Sequence, residues 1–299
     1  MSEIIKNRSE IIFLYDVKDA NPNGDPLEEN KPRIDEETGI NIVSDVRLKR
    51  TIRDYLDSIG ELIFIKEVRK DNGELKTKDE RLEELEINNA EDLLKCIDIR
   101  LFGATVAVKK NTITFTGPVQ FRFGRSLHKV FPKLIKGTTV MPSKEGKGQG
   151  TFTEYWIVPY SLIAFYGIIN ENSAKTTGLT EEDVKKLIEA MWNGTKNLIS
   201  RSKIGHTPRL LIKVNYKENN YHIGDLDKCL KLISDIEDEK IRDVKDFKID
   251  ITELIDILKE NKDKIESIEY IWDKRLNLVY NGEPFNFENG ELPFKEITL

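Results

Sequence analysis

Residues 155–169 read YWIVPYSLIAFYGII, an almost unbroken apolar run rich in aromatic side chains. A run of this kind is a buried strand or a strand pair, because only a sheet covered on both faces accepts apolar residues at successive positions. Upstream, Glu10–Val17 (EIIFLYDV) has the same character, and downstream Arg209–Tyr216 (RLLIKVNY) repeats it. Asn111–Phe123 (NTITFTGPVQFRF) reads as another strand, with Gly117-Pro118 marking a bend or an edge position.

Two helices separate these strands. Ser44 caps the first, in which Leu48, Ile52, Tyr55, Leu56 and Ile59 fall on one face. Thr180 caps the second, with acids at 181–183 followed by Val184, Leu187, Ile188, Met191 and Trp192. The order strand, helix, strand, strand, helix, strand is that of the α+β ferredoxin-like or RNA-recognition-motif core. Around it, Glu61–Arg100 is charged and reads as a helical insertion. Gly124–Thr153 is basic, carries Gly137, Gly146, Gly148 and Gly150, and should project. The core is thus expected over residues 1–217. Residues 218–299 read as an acidic, mainly helical extension packed on it, from the charged helical pattern between Asp225 and Ile271.

The chain has 299 residues, 38% of them hydrophobic, and a net charge of −6. That average hides its distribution. Leu101–Thr153 holds nine basic residues against Glu145 alone, and Ala190–Lys217 holds six against none. After Lys217 the balance reverses to 21 acids against 12 bases. Basic windows on an acidic body suit a polyanion ligand, since phosphates respond to local potential more than to the whole-chain sum. The first helix sharpens this. Arg47, Lys49, Arg50 and Arg53 crowd its N-terminal turns, where the macrodipole disfavours cations, so helix stability does not explain them. No run approaches 18 apolar residues, and the opening MSEIIKNR lacks an apolar signal region, which points to a cytoplasmic protein without a membrane partner.

Other chemistries find little support. Asp19–Gly24 (DANPNG) matches the start of a calcium loop, but its twelfth position is Asn30 instead of a bidentate acid, so the stretch is a rigid turn. Cys96 and Cys229 have no C-x-x-C partner, and His128, His206 and His222 are scattered, so no metal site is expected. Lys144–Gly150 (KEGKGQG) lacks the lysine-serine/threonine ending of a nucleotide-binding loop. No cofactor is expected. The ordinary RNA-recognition signature is missing as well, although Val119–Phe123 (VQFRF) puts aromatics and a base on a strand.

Several stretches taken together carry a resemblance: Asn21–Pro26 (NPNGDP), Thr38-Gly39, Val43–Arg53 (VSDVRLKRTIR), Asp98–Gly103 (DIRLFG), Gly117–Gln120 (GPVQ) and Gly205–Arg209 (GHTPR). They resemble the CRISPR-associated backbone subunit of Cascade, subtype I-B, with the I-C version close behind, over about residues 10–216. The resemblance implies a protein with no catalytic task, whose copies stack along a CRISPR guide RNA and leave its bases free to pair with target DNA. It implies a palm on the βαββαβ core, a helical insertion, and a thumb at about 124–153 that displaces one base at intervals. Partners would be the guide, the paired target, neighbouring copies, other Cascade subunits and a helicase-nuclease.

Displaying a guide requires holding its sugar-phosphate backbone without reading base edges. The expected contacts are therefore Arg47, Lys49, Arg50 and Arg53 on the first helix; Arg201, Lys203, His206 and Arg209 before and at the start of the last strand; and Arg122 and Arg125. In the thumb, Phe131 or Met141 would wedge between bases or pack under the hairpin, and Lys144 and Lys147 would touch target DNA or the neighbouring copy. The rival reading is a metal-dependent endoribonuclease using Asp19, Asp25 or Asp35, since related type III backbone subunits cleave RNA with an aspartate on the loop after the first strand.

Overall fold

A computed structural model describes residues 3–108, 111–138, 152–217, 220–289 and 291–299. The strand β1 (Ser9–Ala20) leads through the DANPNGDP loop to β2 (Ile40–Val43) and helix α1 (Asp45–Ser58). Short helices α2 (Lys78–Glu84) and α3 (Ile97–Phe102) and the hairpin β3 (Gly103–Val108) and β4 (Asn111–Thr116) follow. Then come β5 (Val119–Phe121), β6 (Gly124–Lys129), β7 (Lys133–Thr138) and β8 (Phe152–Ile169). Helices α4 (Glu171–Thr177) and α5 (Glu181–Lys196) precede β9 (His206–Tyr216).

The apolar run 155–169 lies in a single strand, β8, at the middle of the sheet. It pairs antiparallel with β1 along the whole core, Phe13 facing Phe165. Its other edge takes β5, β6 and β7 in succession. With β9 on the far side of β1, the order β9-β1-β8-β6 together with α1 and α5 follows the β-α-β-β-α-β succession. Both faces are covered, which is why the run is apolar at nearly every position, Ser161 excepted. Phe13, Phe165 and Leu211 pack under α1 and α5, with Leu48, Ile52, Leu56, Leu187 and Met191. Ile12, Leu14, Tyr166 and Ile212 face the opposite way, onto residues beyond 225.

Four expectations are corrected. Residues 218–299 are not mainly helical. Their described residues hold one α-helix, α6 (Thr252–Glu260), among the strands β10 (Lys231–Ile233), β11 (Lys248–Asp250), β12 (Ile265–Trp272), β13 (Leu278–Tyr280), β14 (Glu283–Pro284) and β15 (Phe294–Glu296). β12 and β15 extend the main sheet beyond β9, while the others form a second sheet over its far face. The helical pattern misled because residues 265–272 are buried by pairing with β9, a strand distant in sequence, and only Glu266 of the eight stays exposed. Second, the insertion runs past Arg100 to Thr116: β3 and β4 join α2 and α3 around a small core of Phe64, Leu82, Leu93, Ile99 and Val106. Third, Asn111–Phe123 is two strands in two sheets, split where Gly103 and Gly117 meet. A Cβ on Gly117 would stand 2.0 Å from the Phe102 carbonyl carbon, so this crossing requires glycine. Fourth, Gly124–Thr153 does not project as a unit, since β6 lies in the main sheet between β2 and β8. Among the described residues, β7 and the start of β8 form the ribbon leaving it.

Candidate nucleic-acid interface

Helix α1 begins where the DANPNGDP loop holds it. Asn23 Oδ1 accepts from the Ser44 amide at 2.8 Å and from its hydroxyl at 2.9 Å, and Ser44 Oγ accepts from the Arg47 amide. The first turn is thereby bolted to the loop. Burying Leu48, Ile52 and Leu56 leaves Arg47 and Arg50 on the flank, and there a cleft of about 700 Å³ opens between α1 and the insertion. Seven of its lining side chains are cationic, Arg47, Arg50 and Arg53 from α1 and Lys66, Lys76, Lys78 and Arg81 from the insertion, against Glu67 alone.

These cations differ in how far they are already neutralised. Arg53 is buried and bonds Asp98 at 3.0 Å; Asp98 also accepts from the amides of Phe64 and Ile65, so this pair clamps the insertion to the helix. Arg50 holds Asp54 at 2.8 Å on the surface. Among the described residues Arg47 has only the far side of that same carboxylate, at 4.0 Å, and Thr51 Oγ1 at 3.1 Å. Its buried Nε has no acceptor among the described residues. Burial draws its pKa below the usual guanidinium value, which Asp54 offsets in part. Arg47 is thus a half-buried cation whose counter-charge is shared and whose buried Nε–H is unused among the described residues.

Behind Arg47, the loops NPNGDP and RSKIGH close on each other. The Asn21 amide donates to Ser202 O at 2.9 Å, and the Lys203 ammonium donates to the carbonyls of Asn21 and Pro22. His206 Nδ1 bonds the Lys203 carbonyl while its ring stacks on buried Tyr15, 5.7 Å between centroids. Burial, then the nearby Arg47, draws Lys203 down to about 8, and burial, then the Lys203 ammonium, draws His206 down to about 3. His206 is therefore a neutral packing group, and Lys203 supports the loop.

The remaining expected contacts scatter. Lys49 lies over Phe102 and bonds Gln120 and Asp45. Arg201 stacks on Tyr155 at 4.6 Å, and Arg125 stands 3.7 Å from Asp35 at the β6 edge. Arg122 is on the opposite face, over Tyr166 and paired with Asp225. Arg209 is buried there too, between Asp16 and Asp273, each at 2.6 Å. Phe131 is 71% exposed beside the ribbon, whereas Met141, Lys144 and Lys147 lie outside the described residues. The four insertion cations escaped the sequence reading because acids interleave them, so no window of net charge marks them.

The loop acids do not converge. Asp25 is held by Arg33 at 2.9 Å and by the Leu27 amide; Asp35 accepts from the Glu37 amide. Among the described residues no three acidic, histidine or cysteine side chains stand together as a metal site.

Residues 7–252 match the family described as CRISPR-associated protein Cas7. The CRISPR-associated protein Cas7 of Haloferax volcanii is 35% identical over 93% of this chain and 90% of its own length. The chain belongs to the Cas7 family. Its fold is shared with a chain of a solved "CRISPR RNA-guided surveillance complex, pre-nicking", TM-score 0.56 and 13% identity over 92% of this chain and 96% of that one. A chain of another solved "CRISPR RNA-guided surveillance complex" aligns with TM-score 0.52 and 15% identity over 92% and 94%. The Cas7 family match covers the cleft, the two closing loops and the whole βαββαβ succession.

Proposed function

We propose that this chain is a non-catalytic backbone subunit of a CRISPR RNA-guided surveillance complex of type I-B, coating guide RNA in successive copies and displaying its bases to target DNA. The sheet and its two helices serve as the palm, the insertion packs beside it, and the β7–β8 ribbon with Phe131 at its base is the thumb. The single observation that carries the reading is Arg47, a half-buried guanidinium that shares its nearest carboxylate, Asp54 at 4.0 Å, with Arg50 and lines a cleft of seven cations. Both sheet faces are covered, so a nucleic acid is met at the flank of α1 and not on the open sheet of an ordinary RNA-recognition motif. Phosphate oxygens complete Arg47 without any base being read, which is what a guide-displaying surface requires. The involvement of Asp25 with Arg33 favours the passive reading over target cleavage.

The test is single-stranded RNA binding across a salt series. Wild type should lose affinity steeply as salt rises, and Arg47→Ala should bind about tenfold more weakly at 0.15 M salt, the loss of one charge-assisted contact of about 1.5 kcal/mol. A shallow slope in wild type, or unchanged affinity in Arg47→Ala, would sink the reading.

A further inference from the structure

The cleft has a second wall, and we propose that the insertion uses it to grip the same strand. Resting on the guide-binding reading above, this assigns Lys66, Lys76 and Lys78 as backbone contacts opposite Arg47 and Arg50.

Three observations support it. First, the wall's countercharges are weak. Lys66 pairs with Asp57 and Lys76 with Glu84, all partly exposed, and pairs of this kind contribute little enough that phosphate can replace the partner. Lys78 has no carboxylate partner among the described residues and bonds only the Thr105 carbonyl, at 3.0 Å. Second, the wall is rigidly placed. The Arg53–Asp98 pair with its two amide bonds, and Arg81 donating to the Ile63 carbonyl at 2.6 Å, hold residues 63–65 against α1, so the gap between the walls is set before any ligand arrives. Arg81 also keeps a buried Nε without an acceptor among the described residues. Third, the cleft is not purely ionic. Val46 is 66% and Ile65 44% exposed between the walls, an apolar surface in a basic cleft that has no use for a bare anion but suits a sugar or a base. The ligand class is therefore single-stranded polynucleotide, held by phosphates on two sides and touched by its sugar or base between them.

The decisive variant is Lys66→Gln/Lys76→Gln/Lys78→Gln, compared with Arg47→Ala and wild type in RNA binding across a salt series. All three lysines lie at the surface, and an unchanged thermal melt checks folding. The expected result is at least tenfold weaker binding at 0.15 M salt and a slope of log K against log salt smaller by about two, since each single-strand phosphate contact contributes about 0.7. Wild-type affinity and slope in the triple variant, with Arg47→Ala still weakened, would overturn the second wall and leave the guide-binding reading standing. If Arg47→Ala also binds as wild type, both fall. Inorganic polyphosphate competing as well as RNA of equal charge would overturn the assignment of a nucleotide ligand.

Discussion

Arg47 and Arg209 were both expected to hold RNA, and they occupy opposite faces of one sheet in opposite electrostatic conditions. Arg209 is buried between Asp16 and Asp273, with the Tyr160 hydroxyl donating to Asp16 at 2.7 Å, so each charge in that network has its counterpart inside the chain. Burial still pushes Asp16 up against the pull of Arg209, which marks the desolvation this network must offset. Arg47 shares a distant carboxylate with Arg50 and keeps an N–H unused. The fold supplies Arg209 with a complete countercharge and makes it a structural tie, whereas it leaves the countercharge of Arg47 incomplete, which is the ground on which Arg47 is proposed as a ligand contact.

The comparison is broken most directly at Arg209. Arg209→Met leaves Asp16 buried without its cation and should lower stability by about 3–5 kcal/mol in denaturant unfolding. RNA affinity of the folded fraction should be unchanged; a mild stability effect with lost RNA binding would invert the assignment. Next comes the loop behind Arg47. Gly205 has φ +106°, and a Cβ there would meet the Lys18 carbonyl at 2.4 Å, so Gly205→Ala should cost roughly 2 kcal/mol or more. Because that loop positions Lys203 under NPNGDP, RNA binding should weaken with it; destabilisation without any change in affinity would separate the loop from the cleft.

The smallest effect concerns pH. His206 is held down to about 3, well below its ordinary value near 6.5, so between these limits the unfolded chain binds the proton and the folded one does not. Its contribution is therefore present above about pH 6.5 and is lost as pH falls toward 3. His206→Phe, which keeps a ring against Tyr15, should flatten the decline of stability between pH 6.5 and 4 relative to wild type. An identical pH profile would show that His206 is solvated and available to RNA after all.

Much of this was legible in the chain itself. The β8 run, the α1 and α5 faces and the order of the core elements follow from local periodicity, and Leu48, Ile52 and Leu56 are buried as their spacing requires. Tyr55 is only half-buried, and Ile59 is exposed because the helix ends there. What failed were inferences that depend on a neighbour distant in sequence. β12 takes its strand character from β9, and the insertion closes only when Gly103 meets Gly117. Met141, Lys144 and Lys147 lie outside the described residues.

The sequence by itself determined the two-faced central strand, the basic turns of α1 and the rigid NPNGDP turn between β1 and α1, because these are properties of residues a few positions apart. Only the tertiary structure decided which cations are free. Arg53 finds Asp98 and Arg209 finds Asp16 from 45 and 193 positions away, while Arg47 is left with half a partner. Charge is written locally, but neutralisation is decided by whatever the folded chain brings within about 4 Å, where the Coulomb interaction outweighs screening.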